Sequence, residues 1–299
     1  MKKILFVILF VLGVNSLSFS QSVDPKLYAL RKNVILALSK HGPMDIGVGI
    51  IHVQKKDTMH FNNNYHYPMQ SVYKFPIAVA VLDKVSKGEL ALDKKIKIKK
   101  SLILENTHSP LRDKYGVKDL ELSLGELLEN MVKFSDNNAC DILLKKVVSP
   151  KKVNRFVKRL DIDNIKILST EAQMHANPDL AYDNYSTPLA MCDLLYKVFY
   201  TDVLNDITRD YLKGIMITKA NTRLGKYLPK DVIFYHKTGT GPMNPKRVIQ
   251  AVNDVGIMEI DKDNHIIISV FMRDIDITYE QAEEIMAKIG EIVYKTYSN

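Results

Sequence analysis

The chain has 299 residues, 46% of them apolar and 25% charged, a balance that supports a sizeable core and excludes long disorder or a low-complexity array. The formal charge is +8; residues 1–20 hold only Lys2 and Lys3, so the remainder carries +6. Such an excess attracts anions, but no aromatic platform accompanies the basic runs, and no nucleic-acid partner is expected.

Lys2 and Lys3 precede an apolar run over residues 4–14, and Ser18 and Ser20 follow at the spacing a signal peptidase reads. The run is short for a membrane span. A signal peptide over 1–20 is expected, with a periplasmic or secreted, monomeric product that has no stable membrane association. Residues 25–40 read as a helix, with Leu27, Leu30, Val34 and Leu38 on one stripe. Residues 47–53 and 58–61 read as a β-hairpin. A helix begins at about Ser71, and the chain stays mostly helical to about 218. Within that block Ser123 and Glu126 form a capping box, and Ser149-Pro150 and Thr187-Pro188 are helix starts. Lysine alternates with isoleucine in 93–100, which reads as a half-buried strand. Cys140 and Cys192 sit in apolar helical patterns and read as buried free thiols.

Beyond Pro229 the character changes. Residues 232–236, 248–260 and 265–272 are β-rich, and 278–297 is a closing helix. The expected architecture is an antiparallel sheet flanked by helices plus an all-α lobe. Residues 21–66 and 219–299 form the α/β lobe and 67–218 the all-α lobe, one catalytic unit with its site in the cleft between them.

Three motifs carry chemistry. Ser71 precedes Lys74 by three residues, which sets hydroxyl and amine on one helical face. Ser135-Asp136-Asn137 and Lys237-Thr238-Gly239 follow in that order. Together they suit acyl transfer. Ser71 attacks a carbonyl while Lys74 holds or relays the proton. The N–H groups of Ser71 and Thr240 form an oxyanion hole. Ser135 passes a proton to the leaving nitrogen. Lys237 keeps the pocket positive, Thr238 and Thr240 offer hydroxyls to a carboxylate, and Asn137 offers an amide. The eight histidines are scattered, so neither a zinc site nor any other cofactor is expected.

Ser-x-x-Lys with Ser-Asp-Asn and Lys-Thr-Gly is a known signature of class A β-lactamases and penicillin-binding proteins. The chain resembles the class A serine β-lactamases over its mature length, in particular their PER/VEB-like extended-spectrum branch. The resemblance rests on residues 68–75, 135–141, 171–175 and 236–240. It implies the serine β-lactamase/penicillin-binding transpeptidase-like fold and a small-molecule β-lactam substrate. It also implies that Glu171, on an omega loop, activates the water that hydrolyses the acyl-enzyme; whether Lys74 or Glu171 is the acylation base stays open. By the same resemblance Arg223 supports the substrate carboxylate, with Arg247 as the alternative, and His108 stands where the family often has an aromatic gatekeeper.

The chain departs from the family at the omega loop. His175 stands where asparagine is usual and reads as a packed loop residue. Ser169 and Asn184 occupy the positions of an arginine–aspartate bridge that they cannot form. The departures match the PER-like branch and imply a roomier site that accepts oxyimino-cephalosporins. Alternatives are a D,D-peptidase or penicillin-binding protein, a non-catalytic β-lactam sensor domain, and a serine-dependent glutaminase.

Overall fold

The structure, a computed structural model, describes residues 25–39, 45–217 and 223–298. The expected signal peptide and the side chains of Leu27 and Leu38 lie outside the described residues. In chain order the helices are α1 (Pro25–Ser39), α2 (Lys74–Ser86), α3 (Pro110–Tyr115), α4 (Leu124–Val132), α5 (Asn137–Lys146), α6 (Pro150–Arg159), α7 (Glu171–Ala176), α8 (Pro188–Tyr200), α9 (Asp206–Met216) and α10 (Tyr279–Tyr297). The strands are β1 (Asp45–His52), β2 (Asp57–Phe61), β3 (Tyr67–Pro68), β4 (Lys95–Ile98), β5 (Leu120–Ser123), β6 (Ile165–Lys166), β7 (Tyr185–Ser186), β8 (Ile233–Thr240), β9 (Ile249–Asp261) and β10 (Asn264–Ile275).

Five strands form one antiparallel sheet in the order β2-β1-β10-β9-β8. Its central strands are apolar on both faces because both faces are covered. Ile266, Ile268, Val270 and Met272 of β10 point to one side, where Leu30 and Val34 of α1 and Ile285 and Ile289 of α10 meet them. Ile267 and Phe271 point to the other side and join the core of the helical block. That period of two divides the interior into two apolar clusters.

Local chemistry explains where the helices start. The Ser123–Glu126 capping box opens α4, and Ser149 and Thr187 cap α6 and α8 with proline at the first turn. The lysine–isoleucine run forms β4, which pairs only with β5, and its Ile98 is buried. Both cysteines are buried and free. Strand β8, at one edge of the sheet, runs beside the start of α2, and this juxtaposition creates the cleft.

Candidate active site

Ser71 lies in a single 3₁₀ turn, Gln70–Tyr73, and α2 begins only at Lys74. The helix therefore starts three residues later than its sequence pattern suggests. The tighter turn brings residues three apart nearly into line, and Lys74 Nζ lies 3.0 Å from Ser71 Oγ. Gln70 holds a left-handed φ of 48°, a strained state for a residue with a Cβ. Its neighbours over-determine it. Gln70 Nε2 donates to Gln250 Oε1 at 2.7 Å, Met69 N–H donates to Asn184 O, and Asn253 Nδ2 donates to the carbonyls of Pro68 and Met69.

Lys74 is fully buried and meets four oxygens. These are Ser71 Oγ at 3.0 Å, Ser135 O at 2.8 Å, Asn137 Oδ1 at 2.5 Å and Glu171 Oε1 at 2.9 Å. An ammonium has three protons, so four oxygens compete for them. Ser71 Oγ, Ser135 O and Asn137 Oδ1 take the hydrogen bonds, and Glu171 Oε1 meets the charge at ion-pair distance without one.

Ser135 has a left-handed φ of 56°, and Asp136, not Ser135, caps α5. Buried Asp136 accepts from Ala139 N–H, Ser109 Oγ–H and Leu111 N–H, which ties the loop carrying Thr107 and His108 to the site. Lys237 Nζ donates to Ser135 Oγ at 3.0 Å and to Thr238 O at 2.9 Å. No carboxylate among the described residues forms an ion pair with it. Burial, helped by the charges of Lys74 and Arg223, lowers its amine to about 7.

Gly239 lets the strand approach Ser71 closely. A Cβ there would stand 2.5 Å from Met69 O and 3.2 Å from Ser71 N, so any side chain would push β8 away. Arg223 reaches the cleft only indirectly. It is buried behind β8, donates to Thr240 Oγ1 at 2.7 Å and to the carbonyls of Gly239 and Asn253, and pairs with Glu283 at 3.1 Å.

Glu171 opens α7, whose cap is Thr170. Asp141, from α5, accepts the N–H groups of Glu171 and Ala172, both at 2.8 Å. Burial raises the Asp141 carboxyl to about 6, against the pull of those two donors. The Ser169–Asn184 pair supports the loop after all. Buried Asn184 accepts from the N–H groups of Leu168 and Ser169 through Oδ1 and donates through Nδ2 to Ser169 O at 2.8 Å. One neutral amide clamps the backbone where a charged bridge was missing. Gln250 Nε2 adds a bond to Pro178 O at 2.9 Å.

Asn184→Ala is expected to strand two N–H groups and one carbonyl, at about 1–3 kcal/mol each. Thermal melts and steady-state assays should show a lower Tm together with a lower kcat. An unchanged melt would remove Asn184 from this role.

The cleft encloses 560 Å³. Ser71, Ser135, Asn137, Glu171, Thr238, Gly239 and Thr240 line it, with His108 at the rim. Lys74 and Lys237 lie buried beneath them. His175 is exposed at the rim, not packed inside the loop as its sequence context suggests. Asn253, Gln250 and Asp141 support the site without belonging to a motif role legible in the sequence. The signal for Asn253 was legible: Asn253-Asp254 interrupts an apolar strand, and buried polar groups require partners.

The family model described as the beta-lactamase enzyme family matches residues 28–297. Beta-lactamase VEB-1 of Pseudomonas aeruginosa is 35% identical, an alignment covering 100% of this chain and 98% of that protein. Extended-spectrum beta-lactamase PER-1, also of Pseudomonas aeruginosa, is 27% identical over 84% of this chain and 82% of its own length. The crystal structure of TLA-1 extended-spectrum beta-lactamase superposes with a TM-score of 0.88 at 36% identity, covering 92% of this chain and 100% of that one.

Proposed function

This chain belongs to the beta-lactamase enzyme family and is a class A serine β-lactamase; we propose that it hydrolyses its substrates through an ester on Ser71 that Glu171-activated water cleaves. The observation that carries this reading is the place of Lys74 Nζ, which donates a hydrogen bond to Ser71 Oγ at 3.0 Å and stands in ion-pair contact, 2.9 Å, with Glu171 Oε1. Ser71 Oγ bonds to the lactam carbonyl carbon as its proton leaves through Lys74. The N–H groups of Ser71 and Thr240 receive the oxyanion. As the C–N bond breaks, Ser135 gives its proton to the lactam nitrogen and is reprotonated from Lys237, 3.0 Å away; Lys237 regains a proton from solvent, to which Lys74 loses the one that it took from Ser71. Glu171 then takes a proton from water, the hydroxide attacks the ester carbon, and the bond to Ser71 Oγ breaks as that proton returns from Glu171 through Lys74 to Oγ.

Lys237, Thr238 and Thr240 bind the substrate carboxylate, with Arg223 orienting the Thr240 hydroxyl. Asn137 and His108 contact the substrate's amide side. The proposal includes an exported monomer of two lobes, 21–66 with 219–299 and 67–218, with residues 1–20 removed. Glu171 beside Lys74 disfavours a D,D-peptidase or a sensor that stays acylated.

We extend the proposal to oxyimino-cephalosporins. The 560 Å³ cleft lies within the range of drug-sized sites, and two of the relatives bear extended-spectrum names. Stopped-flow or steady-state kinetics should give an oxyimino-cephalosporin a kcat/KM within about a hundredfold of that for a simple penicillin, a gap of under about 3 kcal/mol. Hydrolysis of penicillins without measurable cephalosporin turnover would remove the extended-spectrum part and leave the mechanism standing.

A further inference from the structure

Away from the cleft, the C-terminal end of α2, the end of α5 and the exposed face of α6 surround two adjoining concavities of 580 and 180 Å³ that share Lys84, Glu89 and Lys152. Eight cations line the two together, against only Asp83 and Glu89, a local excess of six. The chain beyond residue 20 carries +6 in total, so the remainder of that sequence is charge-balanced. Four of the eight are tied down: Lys84 to Glu89, Lys87 and Arg159 to Asp83, and Lys158 to Asp163. Lys94, Lys146, Lys152 and Arg155 have no carboxylate partner among the described residues.

Helix stability accounts for only part of this. Cations in a last turn, such as Lys146 in α5 or Lys158 and Arg159 in α6, complement the helix dipole. The first turn of α6 does the opposite. It reads Pro150-Lys151-Lys152, holds no acidic residue, and sets two exposed lysines at the positive end of the dipole. That arrangement works against the helix, and an external anion relieves it.

We propose that this face docks reversibly on an anionic lipid bilayer, with headgroup phosphates seated among Lys94, Lys146, Lys152 and Arg155. Lysine and arginine near a charged bilayer each add to its attraction, and the contact weakens with salt. The only aromatic side chain lining the concavities is Phe156, buried under Arg159, so neither base stacking nor insertion into the bilayer supplements the charge. Docking is thus peripheral and revises the expectation of no stable membrane association to one of salt-reversible contact. Helix α2 separates this face from the nucleophile: Lys74 starts it and the basic face lies at its other end, about 20 Å away for 13 residues. The cleft stays open to substrate. The proposal is independent of the catalytic mechanism.

Co-sedimentation with vesicles tests it. The full-length mature protein should pellet with vesicles of three parts phosphatidylglycerol to seven of phosphatidylethanolamine, but not with phosphatidylcholine alone, and should be released as salt rises. The variant Lys146→Glu/Lys152→Glu/Arg155→Glu should bind at least about tenfold more weakly. Its β-lactam hydrolysis in solution should be unchanged, which also shows that it folds. A control, Lys55→Glu/Lys230→Glu/Lys262→Glu, reverses three exposed cations on the sheet side and should keep at least about a third of the binding. No wild-type binding to the anionic vesicles at low salt would overturn the proposal. So would equal loss in the control, or capture of duplex DNA or inorganic pyrophosphate without vesicle binding.

Discussion

Replacing Glu171 with glutamine is expected to give an enzyme that is acylated once and stays acylated. The carboxylate sits 2.9 Å from Lys74 Nζ, and Asp141 holds the backbone N–H groups at the start of its helix. Glutamine keeps the shape and removes the base. General-base help is worth about 10²–10⁴ in rate, or roughly 3–5 kcal/mol of barrier. Intact-protein mass spectrometry with a cephalosporin should show wild type returning to its free mass within the mixing time. Glu171→Gln should retain an adduct on Ser71 for minutes or longer, and Ser71→Ala should form none. The adduct separates the two half-reactions, because its formation reports acylation and its persistence reports the missing water step. If Glu171→Gln turns over within tenfold of wild type, another group activates the water. If wild type itself keeps the adduct for hours, the protein behaves as a sensor and the hydrolytic cycle proposed above fails.

The Ser71–Lys74 pair was legible in the sequence because its geometry is local. A spacing of three brings Ser71 beside Lys74 in a 3₁₀ turn as it does in an α-helix, so misplacing the start of α2 did no harm. The two outer strands of the motif logic, Ser135 and Lys237, were legible only as an ordered set, since nothing local says that they meet at 3.0 Å. The supports of the omega loop were misjudged for a physical reason. Ser169 and Asn184 were weighed as side chains that cannot form an ion pair, whereas Asn184 bonds to backbone, offering donor and acceptor to residues 15 and 16 positions away. Arg223 shows the converse. Its motif context suggested support of a substrate carboxylate but not the route, which long-range packing sets: Arg223 is buried behind Thr240 and donates to its hydroxyl. The strain at Gln70 left no trace in the sequence, because its cause is distributed over Asn184, Gln250 and Asn253.

Lys237→Met is expected to make the protein more stable and a poorer enzyme. Among the described residues no carboxylate is in ion-pair contact with the buried lysine, and burial lowers its amine to about 7 from an ordinary 10.5. Between those values the unfolded chain binds a proton that the folded chain does not, so this group makes stability rise with pH across that window. Below pH 7 the folded state carries the full cost of the buried charge. Methionine fills similar space without it, and buried charges replaced by apolar groups are often neutral or stabilising. The expected result is a Tm about 2–4 °C above wild type at pH 6, with the difference shrinking towards pH 10. A lower Tm at pH 6 would show that the bonds from Lys237 to Ser135 and Thr238 outweigh the charge. The activity change has the opposite sign. In the proposed complex the substrate carboxylate is the partner of the buried ammonium, and losing it should cost about 2–5 kcal/mol, seen as a raised KM together with a lower kcat, since Ser135 also loses the donor that reprotonates it. In the wild-type enzyme the same logic predicts that KM climbs above about pH 7, as Lys237 loses its proton before substrate arrives. In the proposed complex the bound carboxylate restores the charge, so substrate is expected to stabilise the strand that carries Lys237 and to raise Tm.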